Sequence, residues 1–163
     1  SSGMGRLLLA VPVLGGVSRK LNFARFFRAY ALALDAGLTT VNAIRLSAET
    51  CTNAALSHRF REMAQTVERE GCSFVEAFRI HALPGRLNEL VHTLMETGET
   101  AGSTSEMAER MADIYWEEAE SALRTIANLV PKLIYIVIVL IIAYMVVSFW
   151  LRLMSGIMDL AEF

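Results

Sequence analysis

From Leu133 to Leu151 the chain reads LIYIVIVLIIAYMVVSFWL, 19 residues without a charge, and Ser148 is the one small polar side chain among them. At ~1.5 Å rise per residue, a helix of that length extends about 28 Å, close to the ~30 Å hydrocarbon core of a bilayer. Lys132 and Arg152 bracket the run, and Tyr135 and Trp150 lie near its ends. Amphipathic rings favour that headgroup level. A helix that is apolar on every side otherwise needs a large protein around it. The run is therefore read as a transmembrane helix near the C-terminus, and not as a signal peptide, which would be N-terminal.

This one segment also explains the composition. Hydrophobic residues make up 54% of the 163 and charged residues 20%. With the run set aside, the remainder falls to about 49% apolar, ordinary for a folded soluble domain. Disorder is excluded by the apolar content and a net charge of −2. Fifteen Lys+Arg against 17 Asp+Glu leave no basic stripe for nucleic acid. Two cysteines, Cys51 and Cys72, do not make a disulfide scaffold and read as free thiols.

Ser1-Ser2-Gly3 has the look of a tag or linker scar, so residues 1–5 are set apart as a scar or start. Residues 6–20 include RLLLAVPVLGG, too short to span a membrane, and are set apart as an entry strap; the apolar stretch is either a strap on the domain or the tail of an earlier membrane segment. Residues 21–128 are expected to be a cytoplasmic helical bundle, 129–157 the transmembrane helix and 158–163 a short tail. Helical periodicity dominates the bundle. Phe23, Phe26, Phe27, Tyr30 and Leu34 fall on one stripe, ended by Gly37. Val41–Cys51 reads as a second helix. Leu56, Phe60, Met63 and Val67 mark a third, stopped by Gly71. Ser73 and Glu76 form a capping box for a fourth. Pro84 opens a fifth, which Gly98 closes. Ser103 and Glu106 form a second capping box, from which a long helix runs through Met111 and Tyr115. The fold class is all-α: an antiparallel bundle of about six helices followed by one C-terminal transmembrane helix. A weak echo, Gly37-Leu-Thr-Thr-Val-Asn-Ala-Ile against Gly71-Cys-Ser-Phe-Val-Glu-Ala-Phe, implies a recurring unit of helix, glycine stop, hydroxyl cap and small-residue helix.

Catalytic patterns are missing. There is no Gly-x-Ser-x-Gly and no phosphate loop ending in Lys-Ser/Thr. Cys51 and His58, seven apart, read as a small buried thiol and a surface histidine, and His81 as a loop residue. Glu89-Leu-Val-His92, followed by Glu96 and Glu99, puts potential ligands on one helix face, but di-iron bundles need that motif twice. No cofactor or catalytic metal is expected. A divalent cation held weakly by Glu96, Glu99 and a neighbouring chain stays open beside the plain reading of a solvated face.

Arg19, Lys20, Arg25 and Arg28, with Arg6, form a basic patch. It is either a solvated face or a contact for anionic lipid headgroups or an acidic partner. The acidic run Glu117, Glu118 and Glu120 would be repelled by anionic lipid and so favours a protein contact. Arg124 and Lys132 before the span outnumber Arg152 after it, which points the bundle toward the cytoplasm. At Pro131 and Lys132 the chain enters the membrane with no flexible tether. There Pro131 either starts the membrane helix or kinks a longer one.

Met95-Glu-Thr-Gly-Glu-Thr-Ala-Gly102 carries Gly-Glu-x-x-Gly, with Gly98, Glu99 and Gly102 as its marks. Val11-Pro-Val-Leu-Gly15, Phe23-Ala-Arg-Phe-Phe-Arg, Asp35-Ala-Gly-Leu, the Gly71-x-Ser73-x-x-x-Ala77 element and Leu83-Pro84 follow a consistent order and spacing. Together, over roughly residues 11–155, they resemble the type II secretion system F family, which includes the type IV pilus assembly platform proteins. Two departures stand out: Leu129-Val130-Pro131 where the family often has Leu-Glu-Pro, and Thr104 where a leucine is usual.

The resemblance implies the second helical domain and last membrane helix of such a protein. It implies a non-enzymatic platform in the bacterial inner membrane, with the bundle in the cytoplasm. Its partners would be further copies of itself, an assembly ATPase, pilin or pseudopilin subunits, other inner-membrane components and membrane lipid. Glu99 then either shapes a turn or reaches another subunit. The competing reading is a tail-anchored helical regulatory protein, which would carry an Asn-Trp-Gly-Arg groove motif that this sequence lacks.

Overall fold

The computed structural model describes the backbone of residues 2–81, 85 and 87–161, and the side chains of 15–81, 85 and 87–157. It is helical as expected: α1 (Ser2–Asp35), α2 (Thr40–Glu49), α3 (Ala54–Glu70), α4 (Phe74–Ile80), α5 (Asn88–Ala101) and α6 (Thr104–Ala161). No strand occurs among the described residues. Two compact units divide at Ser121–Ala122.

The echo in the sequence is a geometric unit. Gly37 and Gly71 both take left-handed backbone, φ 84° and 65°, a conformation that costs glycine least. At the first corner Gly37 N–H donates to Leu34 O at 2.9 Å and Leu38 N–H to Ala33 O at 3.0 Å, closing the orphan carbonyls of α1. Two residues beyond each glycine stands a hydroxyl N-cap. Thr39 accepts from Asn42 N–H, and Ser73 accepts from Glu76 N–H in a complete capping box. Ala43 and Ala77 then lie fully buried at equivalent places.

The aromatic stripe of α1 builds the core of the first unit. Phe26 and Phe60 stack with centroids 3.7 Å apart. Phe23 stacks on Tyr115 of α6 at 4.9 Å, and Tyr30 on Phe74 of α4 at 4.9 Å. Such rings bury ~150–250 Å² each, so this cluster dominates the bundle's hydrophobic stabilisation. Consecutive helices from α1 to α5 pack on one another.

Three boundaries differ from the sequence expectation. Helix α1 begins at Ser2 and so takes in residues 6–20. The separate membrane helix expected over 129–157 is continuous with the last bundle helix, and of the two places open to Pro131 the structure takes the one inside a longer helix. Helix α5 runs past Gly98 to Ala101 and is capped by Gly102 at φ 70°. Either glycine of Gly-x-x-x-Gly can stop a helix; here the αL backbone falls on the second. The role expected of Pro84 lies outside the described residues.

In the second unit the exposure pattern inverts. Its apolar side chains from Leu129 to Ile157 are bare, 44% or more exposed where large. Helix α6 is long and apolar enough to cross a membrane: its most hydrophobic 18-residue window has mean hydropathy 2.7, and none of that window is buried. That excludes a core helix of the bundle as an account of the run.

Candidate functional site

Gly98 is buried inside α5, where a β-carbon would meet Thr104 Cα and Met107 Cγ at 3.0 Å. Glycine here lets α5 and the start of α6 approach backbone to backbone. The carbonyl of Gly98 also receives the N–H of Gly102 and that of Ser103 (2.9 Å), which ends α5. Helix α6 then begins at Thr104, with Ser103 O accepting from Met107 N–H at 3.1 Å. The two glycines therefore have separate tasks, crossing at Gly98 and corner at Gly102, rather than one shared turn.

Glu99 sits one residue on, half-buried. Its charge acts on the Tyr30 hydroxyl of α1, which also engages Thr40 at the start of α2. Burial holds the Tyr30 hydroxyl well above the usual phenol range, the Glu99 charge adds to that, and the Thr40 hydrogen bond partly offsets it.

The remaining α5 residues do not assemble into a metal site. Glu89 and Glu96 are exposed. His92 packs edge-on against the Phe78 ring at 5.6 Å, with its Nδ1 buried and unpartnered among the described residues. No group of three or more His, Cys, Asp or Glu converges for a metal among the described residues.

Cys51 and His58 part company, because α2 ends at Glu49 and Asn53 caps α3. Asn53 Oδ1 accepts from Ala55 and Leu56 N–H. The Cys51 thiol donates to Asn22 O at 3.8 Å, and burial pushes it up to about 11. His58 is exposed, with its Nδ1 3.6 Å from Glu62. His81 is the C-cap of α4, its Nε2 2.7 Å from Thr66 Oγ1.

Much of the basic patch finds acidic partners within the chain. Lys20 pairs with Glu118 at 2.8 Å, and Arg28 with Glu109 at 3.1 Å and Asp113 at 2.7 Å. Arg25 donates to Thr52 Oγ1 at 3.4 Å. The acidic surface that the patch meets is thus α6 of the same molecule, and Glu118 of the run Glu117, Glu118 and Glu120 is paired on the bundle's surface. Arg25 and Arg28 also edge an open groove of about 460 Å³, floored by Ala24, Ala29 and Ala112 and walled by Leu32 and Trp116. Pro131 and Lys132 lie within α6, in the second unit.

Asn22 is the residue that motif reading passes over. It is 1% exposed. Its Oδ1 accepts from Thr52 N–H at 2.7 Å, Thr52 Oγ1 at 3.2 Å and Asn53 N–H at 3.1 Å, while its Nδ2 donates to Ser18 O at 2.7 Å. One amide side chain thereby satisfies the α2–α3 corner from α1. Its signal was available: Asn22, Phe26, Tyr30 and Ala33 share one helical face, so a polar residue stood in register with the buried stripe.

The chain thus combines a helical bundle, turned at glycine-and-hydroxyl corners, with a helix long and apolar enough to cross a membrane. The family model described as type II secretion system (T2SS), protein F matches residues 26–151, and the chain belongs to that family. Similar proteins include the type IV pilus assembly protein PilC of Thermus thermophilus, 28% identical over 148 residues that cover 91% of this chain and 36% of the relative. The type II secretion system protein F of Aeromonas hydrophila is 26% identical over 144 residues, covering 88% and 36%. The PilC of Pseudomonas aeruginosa is 23% identical over 148 residues, covering 91% and 38%. The chain thus spans about a third of the length of the curated relatives it matches.

Proposed function

We propose that this chain is the bundle-and-span portion of an inner-membrane platform in a type II secretion or type IV pilus machine. In this reading it self-associates and couples a cytoplasmic assembly ATPase to the polymerisation of pilin or pseudopilin subunits. Other inner-membrane components and lipid complete its surroundings, and the bundle, about residues 21–128, faces the cytoplasm. It performs no catalysis itself. The observation that carries the reading is the single family match running from the core of α1 to the end of the apolar run. The relatives' names, type IV pilus assembly protein and type II secretion system protein, supply the choice of machine.

The groove beside Arg25 and Arg28, with Trp116 exposed on its wall, gives a partner protein a surface with both apolar and charged elements. Glu99 is proposed to support assembly from its place between α5 and Tyr30, within the Gly98–Gly102 motif. Pro131 and Lys132 are proposed to mark the membrane entrance. Co-purification of the membrane complex with its ATPase tests the reading: recovery of the ATPase or a pilin subunit supports it, and recovery of neither counts against it. Glu99→Ala is expected to keep the helical content by circular dichroism and to reduce assembly or pilus output. A variant that assembles and functions like the parent would remove Glu99 from the interaction role.

A further inference from the structure

Helix α5 carries Glu89, Glu96 and Glu99 and neither lysine nor arginine. Carboxylates are favoured in the first turn of a helix and opposed at its end, where the backbone carbonyls already gather about half an elementary negative charge. Glu89 obeys that rule. Glu99 lies in the last turn and Glu96 in the turn before it, with no basic residue to offset either. Glu99 acts on the Tyr30 hydroxyl. Glu96 is exposed, and among the described residues no ion pair reaches it. The C-terminal half of α5 is therefore a region of negative potential that this chain does not neutralise.

Its outward side is also a face of acceptors. Glu89, Thr93, Glu96 and Thr100 form one exposed stripe, with Thr97 beside it. Thr93 Oγ1 donates to Glu89 O at 2.9 Å, Thr97 Oγ1 to Thr93 O at 2.7 Å and Thr100 Oγ1 to Glu96 O at 2.8 Å. All three hydroxyl protons are thus committed to the helix backbone, and only lone pairs are left to turn outward. Thr93, Glu96, Thr97, Thr100 and Ala101 line an open cleft of about 380 Å³. An occupant of this cleft has to bring positive charge and hydrogen-bond donors, which rules out phosphate headgroups and acidic segments. Glu89 stands two turns from Glu96, about 10 Å along the axis. The two carboxylates therefore cannot share a divalent cation, which collects its oxygens at about 2.0–2.6 Å. A guanidinium meets every requirement. It has five donors and no acceptor, and its planar fork reaches a carboxylate and a neighbouring hydroxyl together. The alkyl stem behind it packs on apolar surface, here the threonine methyls and Ala101.

We propose that the outward face of α5 is a docking surface for an arginine-bearing helix of a partner protein. One guanidinium occupies the cleft at Glu96, and a second, one heptad along the partner helix, meets Glu89. The proposal rests on the platform reading for its need of a partner and adds the chemistry of one contact. The test uses the full chain in detergent micelles and a fluorescein-labelled, alanine-rich helical peptide with two arginines seven residues apart. Binding is followed by fluorescence anisotropy at low ionic strength. The peptide is expected to bind, and Glu96→Gln to weaken it about tenfold, the size of a lost charge-assisted hydrogen bond. Thr97→Val, which keeps the side-chain shape and removes an acceptor, is expected to weaken it about threefold. Glu49→Gln, at an exposed carboxylate of α2, is expected to change nothing. Circular dichroism checks that each variant keeps its helical content. Failure of the arginine peptide to bind, or an equal loss from Glu49→Gln and Glu96→Gln, overturns the surface. Equally tight binding of the matching lysine peptide overturns the guanidinium as its occupant. Each of these results leaves the platform reading standing, since that reading is decided by co-purification of the ATPase or a pilin subunit.

Discussion

The two units of this chain satisfy their apolar residues by opposite means. In the first, Phe26, Phe27 and Ile44 are fully enclosed by other side chains of the same unit. In the second, Ile138, Leu140 and Ile142 are about half exposed or more. The first unit supplies its own non-aqueous phase; the second needs a solvent that is itself apolar. Similar residues therefore carry different information. In the bundle their shape fixes neighbours, because interiors are close-packed. Along the span their bulk fixes a length, and shape regains meaning where another helix lies against it.

The sharpest way to break this contrast is a pair of truncations. Phe26→Ala is expected to cost about 3–5 kcal/mol in denaturant unfolding of the bundle, because the Phe60 and Phe74 rings lose their stacking neighbour. Ile138→Ala is expected to leave that transition unmoved in detergent. A shift of similar size in both would show that the span helps to fold the bundle.

A second pair compares glycines. In a bare helix, Gly→Ala stabilises by ~1 kcal/mol. At Gly98 the added carbon meets the Thr104 backbone at 3.0 Å. Overpacking of that kind costs about 1–3 kcal/mol, so the net effect of Gly98→Ala is expected to be destabilising. At Gly156 nothing lies within 4 Å of the added carbon. Gly156→Ala is accordingly expected to be neutral or mildly helix-stabilising, by circular dichroism and thermal melts in detergent. A stabilising Gly98→Ala would refute the close crossing.

Asn22→Ala comes next, at about 1–3 kcal/mol, because two backbone N–H groups of the α2–α3 corner lose their acceptor. The smallest effect is expected from Arg28→Ala. Its pairs with Glu109 and Asp113 are half-exposed, so about 0–1 kcal/mol is lost, and less in high salt. Melting curves at two ionic strengths separate these last two cases: the Asn22 loss is insensitive to salt and the Arg28 loss shrinks.

What was legible in the sequence followed local rules. The span, the aromatic stripe, the stops at Gly37 and Gly71 and the Ser73 capping box each depend on residues within a few positions of one another. What was missed depended on distance along the chain. Gly98 looks like a helix stop until the far side of the corner, Thr104 and Met107, is brought against it. Lys20 and Glu118 are 98 positions apart, so neither sequence neighbourhood announces the pair. Asn22 is intermediate: its burial was readable from the stripe, its partners Thr52 and Asn53 were not. The merging of the last bundle helix with the span was one of two readings that Pro131 left open, because proline suits a helix start and is tolerated within a helix only at a cost.

The Asn22 bonds have a consequence in time as well as energy. Thr52 and Asn53 lie between helices, where amides ordinarily exchange with solvent almost freely. Here both N–H groups are held by a buried side chain rooted in α1. Their deuterium uptake is therefore governed not by the corner's own fluctuations but by the opening of α1. This corner keeps the clock of the core rather than that of a loop.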